Sequence, residues 1–99
     1  MPSAMLDIPV DHPAFAGHFP GRPIVPGVVL LDQAQRAIEA ATGLRLVGLS
    51  VAKFHSPAVP GEVLTVEFDP GGEQVRFEIR TGERKVADGR FLIDAAPGA

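Results

Sequence analysis

Ninety-nine residues, a formal net charge of −3 and no cysteine fit one domain, exclude disulfides and thiolate metal sites, and argue against general nucleic-acid binding. No apolar run approaches the ~20 residues of a membrane span. The opening Met1-Pro2-Ser3-Ala4-Met5-Leu6-Asp7 lacks the basic-then-apolar order of a secretory signal, so the expected setting is cytoplasmic.

Met5 to Val10 has strand composition and is stopped by Asp11-His12-Pro13. Ala14 to Val25 reads as a stiff loop: Pro20, Pro23 and Pro26 fix their own φ and push Phe19, Arg22 and Val25 into extended conformations. A helix is expected over Gly27 to Thr42, because Leu30, Ala34, Ala37, Ile38 and Ala41 recur at helical spacing and Gly43 follows as a C′ residue. Its first half, Val28 to Leu31, is apolar on every side, which predicts a helix wrapped by other elements. Leu44 to Phe54 is expected to be a long strand bent near Gly48, broken by Ser56-Pro57-Ala58-Val59-Pro60-Gly61. Leu64, Val66 and Phe68 then alternate with polar residues, Pro70-Gly71-Gly72 turns, Val75, Phe77 and Ile79 alternate in the same way, Thr81-Gly82-Glu83 turns again, and Lys85 to Ile93 closes the series.

Such alternation leaves one face dry and one wet, as in an antiparallel sheet. The order is strand, helix, then four strands read as a meander. It is an α+β arrangement whose simplest solution is an antiparallel β-sheet wrapped around one central α-helix. A domain this small buries a modest share of its surface, and pairing of a sheet edge between two copies would cover one exposed flank.

The chemistry-bearing residues gather around the helix start. Val25, Pro26 and Gly27 offer no side-chain oxygen to cap it, so the N–H groups of Gly27, Val28 and Val29 are expected to be open. Open donors at a helix N-terminus favour an oxyanion or a carbonyl oxygen. His18 sits on the Gly-Pro loop just before them, and an imidazole titrates where a general base must. His12 and His55 adjoin prolines or turns and read as ordinary loop residues. A metal site on His12 and His18 lacks a third ligand at metal spacing. Asp32 admits two readings. It can line a solvated stripe and pair with Arg36 at i,i+4, or it can sit enclosed behind four apolar residues with a raised pKa and hold a proton. Asp32 lies about 7.5 Å along the helix axis from Gly27 and roughly 140° around it, so the expectation is that His18 and Asp32 of one chain face apart and that a dyad would need two chains.

At these residues the sequence resembles the β-hydroxyacyl-acyl-carrier-protein dehydratases of the FabZ and FabA type, which have the hot-dog fold. The family pattern Gly-His-Phe-Pro-Gly-x-Pro-x-x-Pro-Gly-Val with an acid five residues past the last Gly matches Gly17 to Val28 and Asp32. A second block, Lys-Phe-x-x-Pro-x-x-Pro-Gly-(Asp/Glu), matches Lys53 to Glu62. The resemblance implies one hot-dog domain over residues 1–99 and dehydration of a 3-hydroxyacyl thioester to its trans-2-enoyl product. His18 would remove the C2 proton, Asp32 of a partner subunit would assist loss of the 3-hydroxyl, and the Gly27 N–H would hold the thioester carbonyl. It also implies Phe19, Pro26 and Val28 as further substrate-binding positions, a non-proline cis peptide after His18, an apolar tunnel between the subunits of a homodimer, and no metal or organic cofactor. The carrier protein is acidic, so a basic docking patch is expected. Arg80, Arg84, Lys85 and Arg90 around one hairpin, with Arg22 beside the site, are the candidates. Asp32 stands where the FabZ type has Glu, Arg36 where a Gln is common, and no Tyr is present to gate a tunnel. Arg36 beside Asp32 would keep it ionised, which motivates a second reading as a non-catalytic acyl-binding subunit. A hot-dog thioesterase is a third reading. The departures point to a stand-alone dehydratase of a specialised polyketide-like or aryl-polyene-like lipid pathway.

Overall fold

The computed structural model describes residues 2–8 and 24–94. Its elements in chain order are β1 (Ser3–Met5), α1 (Gly27–Thr42), β2 (Leu46–Phe54), β3 (Thr65–Gly71), β4 (Gln74–Thr81) and β5 (Arg84–Ile93). All five strands join one antiparallel sheet in the order β1-β3-β4-β5-β2.

The helix forms where the apolar spacing predicts it. Val29, Leu30, Ala34 and Ile38 are its buried stripe, and they meet Val66, Val75, Phe77, Ile79, Val86, Ala87 and Phe91 from the inner sheet face in one hydrophobic core. Phe77 and Phe91 stack with ring centroids 4.5 Å apart. Each of these large side chains contributes about 1.5–3 kcal/mol through its burial. Gly43 ends the helix in the left-handed region at φ 76°, its N–H donating to the Glu39 carbonyl at 2.8 Å. Glu39 and Gln35 then tie the helix to the next strand: the Leu46 N–H donates to Glu39 Oε2 at 2.9 Å, and Gln35 Nε2 donates to the Leu46 carbonyl at 3.1 Å.

Four sequence expectations need correction. Where a strand is expected over Met5 to Val10, Pro9 and Val10 lie outside the described residues, and these hold a strand at Ser3–Met5. Its partner β3 begins at Thr65, and after the Leu6 N–H donates to the Leu64 carbonyl at 2.9 Å no paired residue remains for Asp7 and Ile8. The last four strands are not a simple meander. Only β3, β4 and β5 follow one another; β2 crosses to the far edge beside β5, because the proline-rich 55–64 connection cannot close a tight hairpin and carries the chain across. The first turn is tighter than expected. Pro70 and Gly71 belong to β3, opposite Val75 and Gln74, and the loop is Gly72-Glu73 with Gly72 at φ 62°, as a two-residue hairpin requires. Finally, the start of α1 is not enclosed on all sides: Val28 is 75% exposed while Val29 and Leu30 are buried. The irregularity expected near Gly48 is present as two register shifts in the β2–β5 pairing, between Leu46 and Gly48 and between Leu49 and Val51.

The second shift brings backbone against backbone. A Cβ on Gly89 would lie 2.1 Å from the Val51 carbonyl oxygen and 3.0 Å from Ala52 Cα. Neither atom is the end of a flexible side chain, so the strands themselves must part. Gly89→Ala is therefore expected to lose about 2 kcal/mol or more of stability in chemical denaturation. Gly71→Ala, where an added Cβ meets nothing within 4 Å, is the control and should lose far less.

Candidate active site

The N-terminus of α1 is bare. Pro26 holds the cap position at φ −59° and ψ 144° with no side-chain hydrogen bond, and no acidic residue stands in the first turn. Its carbonyl accepts from the N–H groups of Val29 at 3.0 Å and Leu30 at 3.2 Å. The Val29 donor is thus engaged, against the sequence expectation. The Gly27 and Val28 N–H groups have no hydrogen-bond partner among the described residues. Two adjacent backbone donors at the positive end of a helix dipole suit an oxygen that gains negative charge during reaction.

A cleft of about 310 Å³ opens beside them, lined by Ile24, Val25, Gly27 and Leu30 on one side and by Phe54 to Ala58 on the other. Its walls are locked together where the Val25 N–H donates to the Ala58 carbonyl at 2.8 Å. Phe54 packs directly on Gly27: a Cβ there would lie 2.8 Å from Phe54 Cζ. Yet Phe54 remains 53% exposed, so its ring lies over the helix start without being sealed in the core.

The second wall is held by charge. The Arg84 guanidinium donates to Ser56 Oγ at 3.0 Å, to the Pro57 carbonyl at 2.6 Å and to Glu62 Oε2 at 2.5 Å. Glu62 also accepts the Val59 N–H at 2.8 Å. These two donors, the Val59 amide first and Arg84 second, hold the Glu62 carboxyl below the usual carboxylate range. His55 lies on the same wall, with Nε2 3.0 Å from Asp88 Oδ2. Burial works against the charge on Asp88, but its hydrogen bonds with His55 and Lys85 prevail and keep its carboxyl below the usual range.

The structure separates the sequence-derived candidates. Gly27 lines the cleft and Pro26 caps the helix beside it, whereas the Val28 side chain points to solvent. Asp32 is on the exposed helix face, where Arg36 Nε donates to its Oδ2 at 2.9 Å; of its two readings, the solvated pair is the one found in this chain. The basic hairpin cluster is mostly neutralised from within: Arg80 and Lys85 pair with Glu78, and Arg84 with Glu62. His12, His18, Phe19 and the peptide between the last two lie outside the described residues, as does Arg22. Sequence reasoning gave no role to Phe54, His55 or the Arg84–Glu62 clamp. The signal for the first two was their place inside the second motif block. No local pattern announced the clamp, since its partners are 22 residues apart. Among the described residues, no group of three or more His, Asp or Glu side chains is placed to hold a metal ion, and no helix is long and apolar enough to cross a membrane.

A helix laid on the inner face of a five-stranded antiparallel sheet, with a cleft at its uncapped tip, defines a hot-dog protein. The family model described as ApeI-like, ApeI dehydratase, matches residues 2–90, and the chain belongs to that family. It is 37% identical over 104 residues to the 3-hydroxyacyl-[acyl-carrier-protein] dehydratase FabZ of Chlamydia trachomatis serovar L2, covering 89% of this chain and 68% of the relative. The fold is similar to that of an uncharacterised protein from Erwinia carotovora subsp. atroseptica, with TM-score 0.70, 27% identity, and 92% and 80% of the two chains covered. It is also similar to that of the dehydratase heterocomplex ApeI:P from Xenorhabdus doucetiae, with TM-score 0.72, 23% identity, and 92% and 84% covered. A point mutant of the fluoroacetyl-CoA-specific thioesterase FlK, at TM-score 0.64 and 13% identity over 92% and 85% of the chains, shares the fold alone.

The depressed Glu62 carboxyl fixes the sign of one pH effect. A carboxylate held below its unfolded value stabilises the fold above that value, and the contribution is lost as pH falls through the folded one. Glu62→Gln should therefore lower the melting temperature at pH 7, and the gap to the parent should close as pH drops below the ordinary Glu range. A gap that persists in acid would mean that Glu62 acts through packing instead.

Proposed function

We propose that this chain is a hydro-lyase that converts a 3-hydroxyacyl thioester on an acyl carrier protein to the trans-2-enoyl thioester, as a single hot-dog unit acting in a homodimer in the cytoplasm. The observation that carries the reading is the cleft built against the bare start of α1, in a chain of a dehydratase family.

The chemistry needs three things. The thioester oxygen must be polarised so that C2–H becomes acidic, and the Gly27 N–H, backed by that of Val28, is suited to do so; a donor of this kind can be worth ~3 kcal/mol in the transition state. A base must take the C2 proton, and His18, nine residues before Gly27 in the first motif block, is assigned that role. An acid must give a proton to the 3-hydroxyl as the C3–O bond breaks, so that water leaves and the C2=C3 bond forms. Asp32 is assigned that role from the neighbouring protomer, because in its own chain it stands on the exposed helix face, well around the axis from Gly27.

Support for a partner chain comes from the surface. β2 is an edge strand of nine residues whose Val47, Leu49, Val51 and Phe54 are exposed, and Val28 stands exposed on the helix beside them. A long apolar edge left open is an aggregation hazard; covered by a second copy it becomes an interface. Leu49→Arg is expected to shift the protein to a monomer in light scattering and to reduce turnover with it.

The subunit assignment has a direct test. His18→Ala and Asp32→Asn should each lower kcat by about 10²–10⁴-fold without loss of the dimer. When the two variants are unfolded and refolded together, half the dimers are mixed, and one of the two sites in each is intact if the dyad spans chains. Activity should return to about a quarter of the parent value. No recovery on mixing would refute the shared site, and near-normal turnover in either single variant would refute that residue's role.

The Arg36–Asp32 hydrogen bond favours one second reading, an acyl-binding subunit without its own turnover. Binding of the 3-hydroxyacyl carrier thioester with no enoyl product would select it. Release of free acid and thiol would select a thioesterase.

A further inference from the structure

The far wall of the cleft is held at two points. From Pro57 to Glu62 the chain has left the sheet, and among the described residues its hydrogen bonds to the rest of the domain go to the Arg84 guanidinium and to the Val25 N–H. Arg84 stands at the base of the β4–β5 hairpin, paired with Thr81 across a two-residue turn in which Gly82 has φ 59°. Arg80 Nη2 donates to the Glu83 carbonyl at 2.8 Å and braces that turn. From this fixed base Arg84 reaches both ends of the wall at once. Its Nη1 donates to Ser56 Oγ and the Pro57 carbonyl, and its Nη2 donates to Glu62 Oε2. Ser56 Oγ in turn donates to the Lys85 carbonyl at 2.8 Å, so the near end is tied to the same strand twice.

Between those two ends lies Ala58. Its side chain is fully buried, which holds the middle of the wall down on the core. Apolar contact is non-directional and does not set where the Ala58 carbonyl points. The guanidinium does, because it grips the preceding carbonyl, that of Pro57. The Ala58 carbonyl accepts the Val25 N–H at 2.8 Å, and Val25 leads directly into the Pro26 cap and Gly27. Pro26 fixes its own φ, so little freedom remains between Val25 and the first helical donor. A short mechanical path thus runs from Arg84 through Ala58 and Val25 to the helix tip. An exposed ion pair contributes little to stability, and the Arg84 side chain is 42% exposed. What three converging bonds add at such a place is geometry.

We infer that Arg84 is a positioning residue for the reaction at the cleft: by gripping the wall at Ser56, Pro57 and Glu62 it sets, through Ala58 and Val25, the direction of the open Gly27 and Val28 N–H groups. The inference rests on the reading of the cleft as the site of thioester dehydration. Those donors act on an oxygen that gains charge only as the reaction proceeds, so their misplacement costs transition-state stabilisation more than substrate binding. A planar guanidinium offers several donors in one rigid fork, whereas a lysine ammonium is a point charge on a flexible stem. Arg84→Lys therefore keeps the charge and loses the geometry.

The test is turnover of a 3-hydroxyacyl N-acetylcysteamine thioester by the full chain, with amide nuclear magnetic resonance spectra of the same proteins recorded at a temperature where each is folded. Arg84→Lys should lower kcat by about ten- to a hundredfold, change KM by less than about threefold, and shift the Gly27 and Val28 amide resonances. Glu62→Gln, which weakens the same grip from the other side, should shift the same resonances and lower kcat, and it carries the test if Arg84→Lys does not fold. The double variant should lose little more than the larger single loss, because both substitutions release one wall. A merely stabilising role leaves kcat of the folded protein and both resonances where they are, and that result overturns the inference. So does a rise in KM with kcat intact, or a fall in kcat with unmoved resonances. Failure of the parent to turn over the thioester overturns the reading of the cleft instead, and the resonances then judge the link from Arg84 to the helix tip by themselves.

Discussion

A helix that starts at Pro26-Gly27 has no side chain with which to satisfy its own first N–H groups, and most of what surrounds it follows from that omission. The Pro26 carbonyl absorbs the donors of Val29 and Leu30, which leaves two pointing out of the helix tip. Gly27 keeps the tip narrow enough for Phe54 to lie on it. An ordinary Ser or Asp cap would gain about 1 kcal/mol of helix stability and fill the donors. Its absence forgoes that stability and leaves the two donors open, and the rest of the domain makes up the loss through a core in which Ile38, Val66, Val75, Phe77, Ile79 and Val86 are fully buried.

The wall facing the tip leaves the sheet after Phe54, the last β2 residue paired with β5, so beyond the bonds of the His55 and Ser56 N–H groups to the Val86 carbonyl something other than a strand ladder must fix it. Arg84 does this by reaching from the β4–β5 hairpin to Ser56, Pro57 and Glu62 together. The proline-rich 55–64 segment is thereby both the crossover that sends the chain from one sheet edge to the other and the far side of the cleft. One covalent path serves topology and site at once, and this is why the break in strand order falls beside the helix tip rather than elsewhere.

Much of this was legible in the residues. The period of 3.6 over Leu30 to Ile38 and the period of 2 over Leu64 to Ile79 each reflect a local physical rule, and the elements lie where those rules put them. The uncapped tip was legible for the same reason, since capping depends on residues adjacent in sequence. What failed was non-local. Nothing in Leu46 to Phe54 says that its neighbour is β5 and not β3, because antiparallel pairing is chosen by the whole sheet. Whether Val28 is buried depends on what lies opposite it, and in one chain nothing described does. The hairpin cations read as a patch because charge is visible in sequence while its partners are not: Glu62 is 22 residues from Arg84, and Glu78 and Asp88 flank Lys85 from two strands.

Three features of the single chain are incomplete in the same direction. Val28 and the β2 side chains Val47, Leu49 and Val51 present apolar surface to water. Asp32 stands on the exposed face of a helix whose opposite stripe makes the core. The helix tip offers two donors, of Gly27 and Val28, that have no hydrogen-bond partner among the described residues. Each would need a separate explanation in a monomer. A second hot-dog chain laid along β2, as proposed above, would answer all of them together: it would cover the apolar edge, enclose the first turns of α1, and could bring its own Asp32 to the open tip. An exposed Arg36–Asp32 pair contributes little by itself, so leaving it for such an arrangement costs the protomer little. The economy of that answer is the physical argument for the proposed site between chains rather than within one.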